Sequence, residues 1–342
     1  MTPQPLEQRL LYRLASEPFE RGTTTGFVSG PQLCAQLGVT RSAVWKAAAR
    51  LRELGVGVES LSRRGYRLAT PCSPLSESRL RGALPPSIAA RLHALDVCWE
   101  TGSTNADLLQ RPPPPGSFSW RLAEHQHAGR GRRGRSWLAA PGSALCVSWS
   151  WRFEALPRQL PSLGLAVGIS AVRTLERLGL SGAGLKWPND VVTDDGKLAG
   201  ILIEMVSEAA GPALVVVGVG LNVALGAELR EAIRAEGNRA TDLQTLAAGR
   251  SLPDRNELAA ALVSDAIDTL LQWEQRGFDP LHTEWQSLDR LRGIEVAVHS
   301  GNDVRRGIAR GIDADGALLL DDGVRLHRCA AGEVSVRSAV AS

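Results

Sequence analysis

The periodicity of apolar residues changes twice along this chain of 342 residues, and those changes limit its fold more than any other feature. Over the first seventy residues apolar positions recur at helical spacing and then give way to a short hairpin. Beyond Pro85-Pro86 short β-rich runs alternate with helices, and from Ile294 the pattern becomes two-residue alternation, the mark of strands with one buried face. Prolines between Pro71 and Pro74 mark the first boundary. The pattern predicts an α+β multidomain chain with units at 1–70, 71–290 and 291–342, within the range allowed by roughly 150 residues per domain.

Composition narrows the class. A hydrophobic fraction of 44% with 22% charged residues fits packed cores and argues against disorder over most of the length. No run of eighteen uncharged apolar residues occurs, so no membrane span is expected. The first fourteen residues carry Glu7, Arg9 and Arg13 in place of a signal-peptide core. Cysteines at 34, 72, 98, 146 and 329 form no CxxC pair, which reads as reduced thiols in a cytoplasmic protein. Six scattered histidines give no metal-ligand spacing. Lysine stands only at 46, 186 and 197 among 39 Lys and Arg residues. A coding preference for arginine explains the bulk. A retained lysine still marks a place where a compact ammonium serves better than a planar fork.

In the first unit Leu6, Leu10 and Leu14 predict an amphipathic helix. Ser29-Gly30-Pro31-Gln32 reads as a capping box opening a second helix that stops at Gly38. Thr40 caps a third, through Val44, Ala48 and Leu51 to Gly55. Val56 to Glu59 and Tyr66 to Leu68 flank Arg63-Arg64-Gly65, a hairpin wing with a basic tip. This helix-turn-helix would present Thr40, Arg41, Ser42, Trp45 and Lys46 to a major groove, with Arg63 and Arg64 on phosphates. A helical hairpin used only for packing is the alternative, and Trp45 suits either a DNA contact or a packing role. One such unit binds weakly, so a dimer with half-sites about 34 Å apart is expected.

In the second unit, a strand from Leu95 to Glu100 ends at Thr101-Gly102-Ser103-Thr104-Asn105, small polar residues at a helix start that can hydrogen-bond an anion or a polar head group. Another strand, through Trp120, leads past Gln126 into Gly129-Arg130-Gly131-Arg132-Arg133-Gly134-Arg135-Ser136-Trp137. Four arginines and three glycines between two strands make a cationic clamp. Ordering residues 129–137 costs roughly 9–18 kcal/mol of backbone entropy. Four charge-assisted hydrogen bonds return about 6–12 kcal/mol. The loop is therefore expected to be mobile when empty and to fold over an anionic ligand. Leu145 to Phe153 reads as an amphipathic strand and Leu160 to Leu178 as a long helix. Lys186-Trp187-Pro188-Asn189-Asp190 and Lys197-Leu198-Ala199-Gly200 lie on either side of an Asp195-Gly196 hairpin turn. Lysine grips carboxylate or phosphate as a point charge, and Asn189 with Asp190 could hold Mg²⁺. A buried strand from Leu214 reaches Gly218-Val219-Gly220-Leu221-Asn222, where glycine permits close backbone approach. Helices follow at Arg255–Gln275 and Pro280–Leu288. Strands at Val296–Val298, Val304–Ile312, Ala317–Leu320 and Glu333–Val336 then form a small barrel, with a turn at Ser300-Gly301-Asn302.

The ordered motifs at 102–105, 129–135, 186–190, 197–200 and 218–222 resemble bacterial biotin–protein ligases, and the N-terminal unit looks like the winged helix of the bifunctional form that represses the biotin operon. The resemblance implies a winged helix-turn-helix, a central mixed β-sheet with helices of the class II synthetase type, and an SH3-like C-terminal barrel. It also implies activation of biotin by ATP to biotinyl-5′-adenylate. Biotin then passes to a lysine of the biotin carboxyl carrier protein of acetyl-CoA carboxylase. By this resemblance Ser103, Thr104, Asn105, Gln126, Arg130, Gly131, Arg132 and Lys197 would hold biotin. Arg132, Arg135, Trp137, Lys186, Asn189 and Asn222 would serve ATP. Arg132, Lys186, Lys197 and Asp190 would act in the chemistry, with Asn189 and Asp190 the candidate Mg²⁺ ligands. The adenylate would act as corepressor for a homodimer on operator DNA. A lipoate-type ligase and a non-catalytic, ligand-sensing regulator are the rival readings.

Overall fold

The computed structural model describes residues 4–20, 23, 25–207, 212–300, 303–330 and 334–338. Gly301, Asn302 and Glu333, read above as turn and strand, lie outside them, as do Arg21, Gly22 and Thr24. Helices α1 (Leu6–Ala15), α2 (Gly30–Leu37) and α3 (Arg41–Glu53) lead into strands β1 (Val58–Leu61) and β2 (Gly65–Leu68). The capping box forms as read: the Ser29 N–H donates to Gln32 Oε1 at 3.1 Å, and Gln32 N–H donates to Ser29 Oγ. Gly38 ends α2 with φ 66°, a left-handed conformation that glycine adopts without steric cost. Leu10, Leu11, Leu14, Leu33, Val44 and Leu51 are buried together, and Trp99 from the next unit joins that cluster.

The central unit runs α4 (Glu77–Ala83), α5 (Pro86–Ala89), β3 (Leu92–Thr101), α6 (Thr104–Leu109), β4 (Phe118–Gln126), β5 (Ala144–Phe153), α7 (Leu160–Arg177), β6 (Gly184–Lys186), β7 (Asp190–Thr193), β8 (Gly196–Ser207) and β9 (Ala213–Asn222). Four helices follow: α8 (Ala227–Ala235), α9 (Leu243–Leu246), α10 (Arg255–Arg276) and α11 (Asp279–Leu288). The strands form one seven-stranded sheet, ordered β3-β4-β5-β9-β8-β7-β6. Only the β3–β4 pair is parallel, so the sheet is mixed as expected.

β5 corrects one reading. Val147, Trp149 and Trp151 alternate as an amphipathic strand should, yet Cys146, Ser148 and Ser150 on the opposite face are buried too. α7 and α10 join the core with the first set. The face with the serines is covered by α6, whose Thr104 and Asn105 bond Ser148. A polar residue can sit on a buried face when a neighbouring side chain satisfies it.

The C-terminal unit has strands β10 (Glu295–Ser300), β11 (Asp303–Ile312), β12 (Leu318–Asp321), β13 (Leu326–Cys329) and β14 (Val334–Ser338). They form an antiparallel sheet ordered β13-β12-β11-β10-β14; the sequence reading missed β13. Val296, Ile312 and Leu318 belong to the same apolar cluster as the central core, and Trp187 Nε1–H donates to the Gly316 carbonyl at 3.0 Å. Among the described residues no helix is long and apolar enough to cross a membrane.

Candidate active site and nucleic-acid interface

Register explains why so much chemistry meets in one place. Lys186 pairs with Asp190, Asp190 with Gly200, Gly200 with Gly220, Gly220 with Cys146, and Cys146 with Ala123. Residues directly opposite on neighbouring strands share a face. This row therefore runs across the sheet with Lys186 and Asp190 at one end and two glycines in the middle. The next row brings Leu202, Gly218 and Ser148 together. Glycines 200, 218 and 220 leave a trough without side chains. A methyl group at Gly220 would overlap the Trp137 ring, and one at Gly218 would overlap the Asn105 amide. The glycine spacing thus admits side chains from outside the strands to lie against the sheet.

The 129–137 segment closes over this trough. It is a small hairpin in itself: Gly131 N–H donates to Arg135 O at 2.7 Å and Trp137 N–H to Gly129 O at 2.9 Å. Arg133 adopts φ 58°, left-handed for a residue with a side chain. These internal bonds offset part of the entropy cost of ordering the loop. Arg132 donates to Asn189 Oδ1 at 3.3 Å, and Arg130 lies 3.5 Å from Glu204. Burial pulls the Arg132 pKa below its ordinary value, partly offset by the Asp190 charge. Arg133 and Arg135 are exposed. Lys197 Nζ meets Asp190 at 2.6 Å, off the line of a hydrogen bond, and stands 5.8 Å from the Trp137 ring centre.

At the other edge of the trough Ser103 caps α6 by accepting from Ala106 N–H. Thr104 N–H donates to Gln126 Oε1 at 2.8 Å, and Thr104 Oγ1 lies 2.6 Å from Ser148 Oγ. Ser103, Thr104, Gln126, Arg130, Gly131, Arg132, Trp137, Lys186, Asn189, Asp190 and Lys197 therefore border one site. Two expected residues are committed to the fold. Asn105 is buried, donating to Glu204 at 2.9 Å and accepting from Ser148 at 2.6 Å. Asn222 is buried, donating to the Thr241 carbonyl at 2.9 Å. Two polar residues beside the trough were not singled out, Ser148 and Glu204; Glu204 is the one charged residue in the apolar run 198–206, a signal that could have found it, whereas Ser148 shares its strand with Ser150.

Asn189 and Asp190, the candidate magnesium ligands, are already engaged. Asn189 accepts from Arg132 and donates to Ile201 O at 2.8 Å, and Asp190 faces Lys197. Among the described residues no three His, Cys, Asp or Glu side chains converge as a metal cluster. Held by Arg132, Ile201 and Lys197 in this way, Asn189 and Asp190 do not form a magnesium site of their own.

In the N-terminal unit the Thr40 side chain caps α3, accepting from Ala43 N–H at 3.3 Å. Arg41, Ser42, Trp45 and Lys46 are exposed along one side of that helix, and Arg63 and Arg64 are exposed at the wing tip. Trp45 is 59% exposed, so it does not serve the core of its own chain.

Residues 101–222 match the biotin/lipoate A/B protein ligase family, residues 23–67 an HTH domain, and residues 292–337 the biotin protein ligase C-terminal domain. The class is thus that of biotin and lipoate protein ligases carrying a DNA-binding unit. The chain is similar to the bifunctional ligase/repressor BirA of Escherichia coli, 37% identical over 313 residues, 92% of this chain and 94% of that protein. It is 38% identical over 270 residues to the biotin–[acetyl-CoA-carboxylase] ligase of Mycobacterium tuberculosis, covering 76% and 95%. A solved structure of biotin protein ligase from Aquifex aeolicus with biotin and ATP superposes with a TM-score of 0.60 at 26% identity, covering 72% of this chain and all of that one. The chain belongs to the bifunctional ligase/repressor family.

Proposed function

We infer that the protein is an ATP-dependent biotin ligase that also represses transcription. A carboxylate oxygen of biotin attacks the α-phosphorus of ATP, pyrophosphate leaves, and biotinyl-5′-adenylate remains. The ε-amine of a lysine on the biotin carboxyl carrier protein of acetyl-CoA carboxylase then attacks the acyl carbon. AMP leaves, and the amine sheds its proton. Joining two anions demands neutralisation and alignment more than proton transfer. The observation that carries this reading is the convergence of Lys186, Lys197 and Arg132 on one glycine-floored trough.

In this assignment Ser103, Thr104 and Gln126 receive the biotin head group, while Asn105 supports them from beneath. Arg130 and Gly131 belong to the covering loop. Lys197 and Arg132 face the reacting carboxylate and phosphate; Lys186 and Arg135 neutralise the phosphate chain. Trp137 borders the adenine, and Asn222 fixes the strand end beneath it. Asn189 holds Arg132. Asp190, paired with Lys197, is placed to receive the carrier lysine once that pair opens. The units 1–70, 71–290 and 291–342 serve as DNA-binding, catalytic and accessory parts. With adenylate bound the chain dimerises and binds operator DNA through Thr40, Arg41, Ser42, Trp45, Lys46, Arg63 and Arg64, in the cytoplasm.

ATP–pyrophosphate exchange tests the reading. Exchange that appears only with added biotin supports it; exchange that appears only with lipoate would transfer the chain to the sister activity. Ligand binding without exchange would leave a sensor that does no chemistry. Sedimentation with and without biotin plus ATP tests the switch, and an unchanged monomer would remove it.

A further inference from the structure

Glu204 lies on β8, one register step beyond the glycine trough, opposite Val216. One carboxylate oxygen, Oε1, faces the Arg130 guanidinium at 3.5 Å; the other, Oε2, accepts from Asn105 Nδ2 at 2.9 Å. It is therefore the residue at which the covering loop and the buried polar network meet. From Asn105 the network continues to Ser148 and then Thr104 through contacts of 2.6 and 2.6 Å, and the Thr104 N–H carries it on to Gln126 at 2.8 Å.

Donor and acceptor counting gives that chain a direction. An ionised carboxylate only accepts, so Asn105 must turn its amide nitrogen toward Glu204. The same nitrogen donates to the Leu202 carbonyl at 3.3 Å, another group that only accepts. Asn105 Oδ1 then faces Ser148, whose hydroxyl must donate to it. With its proton so used, Ser148 accepts from Thr104, whose one proton goes to the shorter of its two contacts. Thr104 Oγ1 keeps lone-pair capacity for an N–H donor. The negative charge at Glu204 thus sets the polarity of a hydroxyl at the head-group end of the site, three residues away along the network.

We propose that Glu204 is a positioning residue that latches the arginine loop through Arg130 and orients the Asn105–Ser148–Thr104 relay beneath the ligand. This rests on the ligase reading above. Its expected consequence is retention of the adenylate: an unlatched loop opens more often and lets the activated intermediate escape before the carrier arrives.

The test compares Glu204→Gln, Arg130→Gln, the double variant and Glu204→Asp in the full chain. Two readouts are followed: the release rate of biotinyl-5′-adenylate, and trypsin cleavage of the unligated protein after Arg132, Arg133 or Arg135, sites that every variant keeps. Glu204→Gln keeps the size of the side chain but not its charge, and its amide can present a donor to Asn105. We expect both readouts to rise about tenfold in each single glutamine variant, with the double no faster than the faster single, since both remove one interaction. Glu204→Asp, which keeps the charge, should recover part of the retention. Release and cleavage within twofold of the starting protein in Glu204→Gln would overturn the proposal, as would independent multiplication of the two effects in the double variant. If Glu204→Gln fails to fold, Arg130→Gln, at an exposed position, still decides: unchanged cleavage and release would overturn the latch. If the starting protein forms no adenylate, the ligase reading fails by itself, while the trypsin comparison continues to decide whether the pair holds the loop.

Discussion

β4 carries two polar residues with opposite fates, two positions apart: Glu124 at a dry junction and Gln126 at the site. Glu124 is fully buried, and Arg255 donates to it at 2.8 Å from an equally buried position. Arg255 also donates to the carbonyls of Ser73 and Ala144, and the Leu75 N–H donates to Glu124 at 2.8 Å. Tyr12, from the winged helix, reaches the same carboxylate at 3.4 Å. Burial alone would lower the Arg255 pKa, but the Glu124 charge prevails and holds it above its ordinary value. By contrast, the Lys197–Asp190 pair is partly exposed, with 36% and 22% of the side chains accessible, and lies beside the open trough. The first pair can exchange partners with nothing and ties linker, sheet, helix α10 and winged helix together. The second can trade its partner for substrate charge. Fixed, dry charge builds the frame; half-wet charge, screened by the water that reaches it, is free to change partners.

Removing one member of each pair should separate these roles. Arg255→Met leaves a buried carboxylate without its cation and should cost about 3–5 kcal/mol in urea unfolding. Pairing it with Glu124→Gln should recover part of that loss, since no charge then stays buried. A loss under about 1 kcal/mol in Arg255→Met would show that the junction is wetter than its burial implies. Lys197→Met should lower biotin-dependent exchange by about 10²–10³-fold, the usual effect of deleting one charge-stabilising donor. Its unfolding free energy should change by less than about 1 kcal/mol, as for a partly exposed pair. Equal effects on folding and turnover would erase the distinction.

Sequence made these two regions legible to very different degrees. Lys186, Lys197, the arginine loop and the glycines were visible because their residue types are unusual at their spacing, and a chain with three lysines advertises each of them. The capping box at Ser29 and the Asp195-Gly196 turn were visible because local geometry dictates them. The Glu124–Arg255 pair was not, because it closes across 131 residues and each member looks like an ordinary charged residue. Ser148 and Glu204 were hidden for a related reason: their partners come from α6 and the loop, and no local period records that. For Asn105 and Asn222 the partners of the amides were hidden too, since sequence does not say which way an amide points.

The thiol beside the dry junction gives a gentler probe of it. Burial pushes Cys146 up to about 11, while the nearby Arg255 charge works in the other direction. An unfolded thiol titrates near 8.5. Because the folded value is raised, the contribution of this group is fully present below about 8.5 and drains away as pH climbs toward about 11. This thiol alone should thus take about 1 kcal/mol from the unfolding free energy between pH 8.5 and 9.5. Burial raises Cys72 and Cys98 as well, so Cys146→Ser should remove about 1 kcal/mol of the fall and leave theirs in place. Rapid alkylation of Cys146 in the folded protein at pH 8.5 would contradict a dry junction.

Salt distinguishes the two kinds of charge most cleanly at the surface. Arg63 and Arg64 stand exposed at the wing tip, where water and ions reach them freely. A cation that neutralises one phosphate releases counterions, so each such contact contributes about 0.9 to the slope of log K against log salt. Arg64→Ala should lower that slope by about one and weaken binding evenly across DNA sequences, because a phosphate contact carries no base information. Between about 50 and 200 mM salt the lost contact amounts to a few-fold in affinity, the smallest effect in this series. The Arg255–Glu124 pair should be indifferent to the same change, since ions do not enter a site that excludes water. An unchanged slope in Arg64→Ala would take the wing off the phosphates and leave the exposed helix face, with Trp45 at its centre, to hold the DNA alone.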